Sequence, residues 1–187
     1  MYALGHLGLA LLVFAPVALY LRATGRVGLA AGGAVASATL STAPDVDLLL
    51  ASVPHRGITH TVWFATGVGL FLGTFLAVHT VRGGRRTPLR QFGWAALVGC
   101  LTTTSHLLGD LLTPMGIEPF APVWDLHLTL NLVAASNPTA NRTLFTLGLL
   151  ATTMVWTTGL WMPVLAPGRS RRRNTSGDVG ARAETEP

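Results

Sequence analysis

Apolar residues in this 187-residue chain come in long blocks, separated by short stretches rich in arginine, proline or histidine. A helix needs about 20 apolar residues to cross a hydrocarbon core of about 30 Å. The pattern predicts five transmembrane helices, at about 3–21, 27–43, 60–80, 91–112 and 143–165. The predicted fold class is therefore all-α: a polytopic membrane helical bundle, with residues 1–166 as its single membrane domain.

The second block is the weakest of the five, because AAGGAVASATLSTA consists of small residues. Such residues let helices approach closely in lipid, although the same stretch is also compatible with a merely weak hydrophobic segment. A spanning helix is the favoured interpretation, since irregular loops do not cross hydrocarbon.

Two further segments differ from the blocks. Residues 117–142, IEPFAPVWDLHLTLNLVAASNPTANR, are apolar in patches but broken by prolines and polar residues, which predicts an interfacial or re-entrant cap between the fourth and fifth helices. Residues 167–187 are polar and poor in aromatics, which is typical of a disordered basic tail.

Composition supports the membrane assignment. The chain is 50% hydrophobic and 11% charged, whereas soluble domains carry about 25% charged residues. The single cysteine, Cys100, excludes an internal disulfide and a cysteine-rich metal site. The sequence pI of about 11.0 is compatible with nucleic-acid binding. The basic residues adjoin apolar segments, however, so membrane topology explains them better and no nucleic-acid partner is expected.

The arginines also predict an orientation in the cell membrane. All 13 basic residues are arginine, and five spans place eleven of them on the side opposite the N-terminus. Only Arg56 and Arg142 fall on the N-terminal side. The positive-inside rule then places the N-terminus outside and the C-terminal tail in the cytoplasm.

Histidine and aspartate side chains gather on the N-terminal side of the predicted bundle. With alternating spans, seven residues from four segments converge there: His6, Asp45, Asp47, His55, His60, His106 and Asp110. Ionisable groups at membrane depth are costly and usually functional. His79 falls at the opposite end, and a structural role is favoured for Asp125 and His127 in the cap.

The seven residues together predict a site for a divalent metal ion. Imidazoles mixed with carboxylates suit zinc, manganese or iron, with zinc preferred and one or two ions expected. Taken singly, each motif has a structural interpretation. His6 is compatible with a buried hydrogen bond, PDVD with a turn, His106 and Asp110 with an i, i+4 hydrogen bond, and HRGITH with an interfacial anchor.

The same motifs resemble the YdjM-type family of inner-membrane, metal-dependent hydrolases, which is also described as LexA-binding. The matching pieces are GHL at 5–7, PDVD at 44–47, HRGITHT at 55–61 and SHLLGDLLTPMGIEPFAP at 105–122. The resemblance implies a polytopic hydrolase whose metal residues fall on the seven residues named above. LexA binding implies a cytosolic contact, whereas the arginine count places the motif face outside, so LexA is not an expected partner.

The expected function is a metal-dependent hydrolase at the outer membrane face, in contact with the bilayer and acting on a small-molecule or lipid phosphoester. Asp45 or Asp47 would orient the attacking water. Arg56 would grip a phosphate oxygen or, with equal weight, anchor the interface. Two alternatives stay open: a transporter or proton-coupled channel that uses the His/Asp cluster, and a non-catalytic scaffold with a structural metal.

Overall fold

The computed structural model describes residues 1–50, 52–84 and 86–158. It contains the α-helices α1 (Ala3–Ala23), α2 (Val27–Leu40), α3 (Val62–Arg82), α4 (Pro88–Leu111) and α5 (Pro138–Thr158), with 3₁₀ segments at Ala43–Leu49 and Ile58–His60. Within these described ranges there is no β-strand beyond an isolated bridge between Ile117 and Leu128. The all-α prediction is confirmed.

Fewer helices meet the length and hydropathy required for a membrane crossing than the five that the sequence pattern predicts. Among the described residues, α1 and α3 are the two helices long and apolar enough to cross a bilayer. Helix α2 has 14 residues, which at 1.5 Å per residue spans about 21 Å. It ends before the predicted 43 because the chain tightens into the 3₁₀ segment that carries Pro44. Five spans therefore remain a prediction.

Two predicted features fall wholly or partly outside the described residues. The fifth predicted span, 143–165, corresponds to α5, which the structure describes as far as Thr158. The predicted tail at 167–187 lies beyond the described residues.

Successive helices alternate in direction, so the bundle has two distinct ends. At one end the start of α1 meets the start of α5, where the Tyr2 backbone N–H donates to Asn141 Oδ1 at 3.1 Å. The end of α4 meets the residues after α2 there, because His106 Nδ1 bonds to the Ser41 carbonyl oxygen at 2.7 Å. We call this the histidine end.

The opposite end contains arginine–tryptophan contacts and is called the arginine end. The guanidinium of Arg22 lies 4.3 Å from the Trp156 ring centroid, and that of Arg26 lies 5.7 Å from the ring of Trp94. Such cation–π contacts suit the membrane–water boundary, where an aromatic body is apolar and the cation remains near water.

Glycines set the closest helix–helix approaches. Helix α1 meets α5 where Gly8 faces Gly148, and a Cβ atom on either residue would collide with backbone atoms of the other helix. Helix α3 meets α4 at Gly69 and Gly99 in the same way. Close backbone contact through small residues is a common way for helices to associate in lipid.

Several hydroxyl side chains are buried inside the bundle, and many large apolar side chains are exposed on its outside. Thr102, Thr103 and Ser105 of α4 are buried, and Thr102 donates to Ser37 of α2 at 3.1 Å. On α3, Phe71 and Phe75 are 70% and 63% exposed. In a soluble protein, phenylalanine side chains are mostly buried and serine and threonine side chains mostly exposed. The reverse arrangement seen here fits a lipid environment.

Residues 112–137 are irregular and take the place of the cap predicted at 117–142, whose last residues, 138–142, instead begin α5. The backbone N–H of Leu130 donates to Leu111 O at 2.8 Å, and that of Leu132 donates to Leu112 O at 2.9 Å. The cap therefore folds back onto the end of α4. A further bond from the Val62 N–H to Pro119 O, at 2.9 Å, joins it to the start of α3.

The α1–α5 contact can be tested by making the same glycine-to-alanine change at two positions, one inside the contact and one outside it. Gly148→Ala places a methyl group against the Gly8 carbonyl, whereas Gly67→Ala on α3 meets no atom within 4 Å. Alanine favours a helix over glycine by up to about 1 kcal/mol, but overpacking costs about 1–3 kcal/mol. We expect Gly148→Ala to lower the thermal unfolding temperature in detergent and Gly67→Ala to leave it unchanged or raise it. Equal effects would contradict the close contact.

Candidate metal centre

Two buried imidazoles face each other at the histidine end. His60 lies just before α3 and His106 lies in the last turns of α4, and their Nε2 atoms are 3.2 Å apart. Both side chains are completely buried. Their closeness depends on the packing of α3 against α4, which brings together residues 46 positions apart.

The opposite nitrogen of each ring is held by a hydrogen-bond acceptor. His106 Nδ1 lies 2.7 Å from the Ser41 carbonyl oxygen, which can only accept. His60 Nδ1 lies 3.2 Å from Asp47 Oδ2 and 3.0 Å from Thr59 Oγ1. Each neutral ring therefore carries its proton on Nδ1 and presents an Nε2 lone pair to the other ring. Two lone pairs at this distance repel unless a cation or a proton lies beside them.

Two carboxylates complete the cluster. Asp110 Oδ2 lies 3.3 Å from each Nε2 atom, and Asp45 Oδ1 lies 3.6 Å from the His60 nitrogen and 3.4 Å from the His106 nitrogen. Asp110 Oδ2 is buried and has no hydrogen-bond partner among the described residues. Each carboxylate oxygen thus forms a triangle with the two Nε2 atoms, and the two triangles share the edge that joins those nitrogen atoms.

These separations fit a metal ion. Ligand atoms about 2.0–2.1 Å from a tetrahedral zinc are about 3.3–3.4 Å from one another. Three overlapping groups of three residues each have ligand atoms that lie within 4.8 Å of one another inside the group. Together they contain six of the seven predicted ligands: His6, Asp45, His55, His60, His106 and Asp110. Nitrogen and oxygen donors without a thiolate suit zinc, manganese or iron.

Asp47, the seventh predicted ligand, lies behind the cluster. Its Oδ2 accepts from Thr59 Oγ1 at 2.8 Å and from the Arg56 backbone N–H at 3.0 Å, and its Oδ1 lies 3.1 Å from His55 Nδ1. Burial alone would raise the pKa of Asp47, but these hydrogen bonds outweigh it and lower the pKa. A carboxylate that orients a metal-binding histidine is a common supporting group, so Asp47 is better placed to position His60 and His55 than to bind the ion.

Asp45 is the more accessible carboxylate, with its side chain 20% exposed. Burial would raise the pKa of Asp45, whereas the hydrogen bonds with His106 and His60 lower it, and the net shift is downward. Asp45 therefore stays ionised and lies between the buried imidazoles and the surface.

Arg56 cross-links the loop before α3 to the end of α4. Its Nη2 donates to Asp110 Oδ1 at 2.8 Å, and its Nη1 donates to Thr113 Oγ1 and to Gly116 O, each at 2.9 Å. The backbone of Arg56 is left-handed, with φ of 64°, which is uncommon for a non-glycine residue and concentrates at functional sites. The Arg56 side chain is 8% exposed, and its Nε has no hydrogen-bond partner among the described residues.

His55 and His6 occupy opposite sides of the cluster. His55 is 37% exposed at its side chain, and its ring lies edge-on to His60 at 5.3 Å. His6 is buried and stacks on His106 with the ring centroids 3.6 Å apart. Neither ring nitrogen of His6 has a hydrogen-bond partner among the described residues, and its Nε2 lies 3.4 Å from Asp110 Oδ1.

The cap histidine and aspartate do not join the cluster. Asp125 and His127 are exposed and fall outside the metal-compatible groups found in the described ranges. His127 instead lies 3.9 Å from Glu118.

Sequence reasoning missed three supporting residues: Ser41, Thr59 and Thr113. Ser41 contributes only a backbone carbonyl, which no residue-type pattern shows. Thr59 and Thr113 lie inside the HRGITH and SHLLGDLLTP motifs, whose threonines were the available indication. Both hydroxyls hold side chains of the cluster in place, at Asp47 and Arg56.

Of three comparisons with known proteins, the comparison with family models supports the family that the sequence motifs indicate. Neither the curated proteins nor the solved structures contain a significant match to this chain. A family model described as YdjM inner membrane protein matches residues 1–170, well beyond the motif region that ends at 122. The chain therefore belongs to the YdjM inner membrane protein family.

Proposed function

We propose that the protein is a membrane-bound, metal-dependent hydrolase whose ion is held by His60, His106 and Asp110, with one coordination position left open for water beside Asp45. The observation that carries this proposal is the 3.2 Å approach of two imidazole Nε2 atoms whose Nδ1 protons are both committed elsewhere. A divalent ion held there would polarise a bound ester and lower the pKa of water toward 7. Zinc is the preferred ion, with manganese or iron as alternatives, because nitrogen and oxygen donors suit all three.

The protein's own groups would divide the remaining work. Asp45 lies on the accessible side of the imidazoles, where a carboxylate can accept a proton from the attacking water. Asp47 keeps His55 and His60 in position through both of its oxygens. Arg56 holds Asp110 and the cap in register, and the same guanidinium lies close enough to the cluster to add positive charge near a bound phosphoester.

An amphiphilic substrate is supported by the surface around the cluster. Leu48 and Leu49, directly after Asp47, are 64% and 83% exposed, and Val123 and Trp124 of the cap are 77% and 60% exposed. Apolar side chains beside a polar site at one end of a membrane bundle suit a lipid-like ester that enters from the bilayer interface. A lipid phosphoester is therefore the proposed substrate class.

Metal binding distinguishes ligands from supporting residues. We expect His60→Ala and Asp110→Ala to abolish stoichiometric metal in the purified full-length protein. Asp47→Asn should keep the metal but weaken its affinity about 10–100-fold, as for other supporting carboxylates. Elemental analysis and chelator competition would measure this, with the exposed cap variant His127→Ala as control. Unchanged metal content in His60→Ala would overturn the assignment.

Turnover tests whether the centre is catalytic. We expect the wild type to cleave at least one member of a panel of lipid phosphoesters, to lose that activity on chelation, and to regain it when zinc or manganese is restored. His60→Ala should stay at background after metal is added, and His127→Ala should match the wild type. Bound metal with no cleavage of any ester would favour the structural scaffold instead. Metal-dependent ion uptake into proteoliposomes would favour the transporter.

The outward orientation of the histidine end is also a proposal, supported by eleven of the 13 arginines lying toward the other side of the predicted bundle. In a Cys100→Ala background, we expect a membrane-impermeant maleimide to label Ser52→Cys on intact cells and to label Thr87→Cys only after permeabilisation. Both positions are exposed. The reverse labelling pattern would place the cluster in the cytoplasm.

A further inference from the structure

An apolar cleft lies at the arginine end, far along the bundle from the His/Asp cluster. Helices α2 and α3 both pack on α4, and the cleft of about 340 Å³ lies between them. Its lining is almost wholly apolar and includes Leu29 and Gly32 of α2, Phe75 of α3, and Trp94 and Val98 of α4. Water finds few hydrogen-bond partners on such a surface, so an apolar occupant is favoured.

The cleft opens into a basic mouth. A second cavity of about 510 Å³ shares Gly28, Leu29 and Leu76 with the first, so the two adjoin. Arg26, His79 and Arg90 line this second cavity, and no carboxylate does so among the described residues. The Arg26 guanidinium lies 5.7 Å from the ring of Trp94, which lines the apolar part.

The start of α2 adds to the positive charge of the mouth. Arg26 is the N-cap residue of α2, and its side chain makes no capping hydrogen bond. The first backbone N–H groups of a helix carry a partial positive charge, and Val27 and Gly28 line the mouth. A ligand that matches both parts has an apolar chain joined to an anionic head.

We propose that this cleft binds one anionic phospholipid of the leaflet at the arginine end. An acyl chain fills the apolar cleft, and the phosphate contacts Arg26 and Arg90 at the mouth. A second copy of the chain is a poorer occupant, because parallel association would bring two arginine-rich ends together. This site does not depend on the metal centre or on the proposed hydrolysis.

The chain offers matched variants for a test. A Cβ atom at Gly32, which lines the cleft, meets no atom within 4 Å, and the same is true at Gly67, which lies on α3 outside the cleft. Gly32→Leu should therefore fill the cleft without moving the backbone, and Gly67→Leu is its control. Arg26→Gln and Arg90→Gln remove charge at the mouth, and the exposed Arg82, which does not line it, provides the control Arg82→Gln.

Fluorescence quenching by brominated lipid measures occupancy of the cleft. Full-length protein is reconstituted in phosphatidylcholine vesicles in which a minor fraction is dibrominated phosphatidylglycerol or, in parallel, dibrominated phosphatidylcholine. The Trp94 signal is the difference between the wild type and Trp94→Phe. We expect phosphatidylglycerol to quench Trp94 more strongly, and this preference to fall about fivefold for each mouth arginine replaced, which corresponds to about 1 kcal/mol per arginine. The Gly32→Leu variant should lose quenching, whereas Gly67→Leu and Arg82→Gln should behave as the wild type.

Three outcomes would overturn the proposal. Equal quenching by both lipids would show a chain-binding cleft without headgroup selection. No quenching by either lipid would mean that a protein segment or a second copy covers the cleft. Equal losses in Gly32→Leu and Gly67→Leu would mean that quenching reports general lipid contact. Size-exclusion profiles and thermal unfolding temperatures of the variants, matched to the wild type, show that each variant is folded.

Discussion

The approach of His60 Nε2 to His106 Nε2 is the interaction on which the histidine end depends. Each ring is fixed from behind, one by a backbone carbonyl and the other by a carboxylate, so neither can turn its lone pair away. The surrounding groups then follow from that constraint. Asp110 Oδ2 and Asp45 Oδ1 each lie near both Nε2 atoms. The other Asp110 oxygen, Oδ1, pairs with the Arg56 guanidinium and the N-terminal ammonium group. A cation at this edge would convert a repulsive arrangement into an attractive one and would offset the cost of burying these ionisable groups together.

Close helix packing makes this arrangement possible. Burying a carboxylate and two imidazoles costs free energy unless their partners are held at hydrogen-bonding distance. Glycines at the α1–α5 and α3–α4 contacts allow the backbones to approach, so that side chains from α1, α4 and the loop before α3 reach one point. The threonines and serines of α4 use their hydroxyls within the bundle, as Thr103 does with the Gly99 carbonyl at 2.9 Å. The interior therefore contains hydrogen-bonded hydroxyl groups beside a small apolar core, while Phe71 and Phe75 are exposed.

The two ends of the bundle serve different chemistries. The histidine end concentrates imidazoles and carboxylates beneath a cap with exposed apolar side chains, which suits a divalent ion and an amphiphilic ester. The arginine end combines an apolar cleft with a basic mouth, which suits an anionic phospholipid. Separation along the helices keeps the arginines away from the metal ligands, where additional positive charge would oppose ion binding. Arg56 and Arg142 lie at the histidine end instead, and the Arg56 guanidinium is engaged by Asp110, Thr113 and Gly116.

Sequence alone determined the helical class and most of the candidate ligands. The length of the apolar blocks indicated helices, and the i, i+4 spacing of His106 and Asp110 required them to share a face of α4. Alternating directions then placed His6, Asp45, His55 and His60 at the same end. Only the tertiary structure determined which ligand-type side chains face the cluster, because residue spacing does not define those orientations. Asp47 lies only two residues from Asp45, yet in the 3₁₀ segment it bonds to Thr59 and His55 instead of facing the two imidazole Nε2 atoms. Arg56, whose backbone is left-handed, donates to Asp110 at the end of α4. The length of α2 and the cleft beside it likewise depend on how the helices pack, because contacts between residues distant in the chain leave no periodic pattern in the sequence.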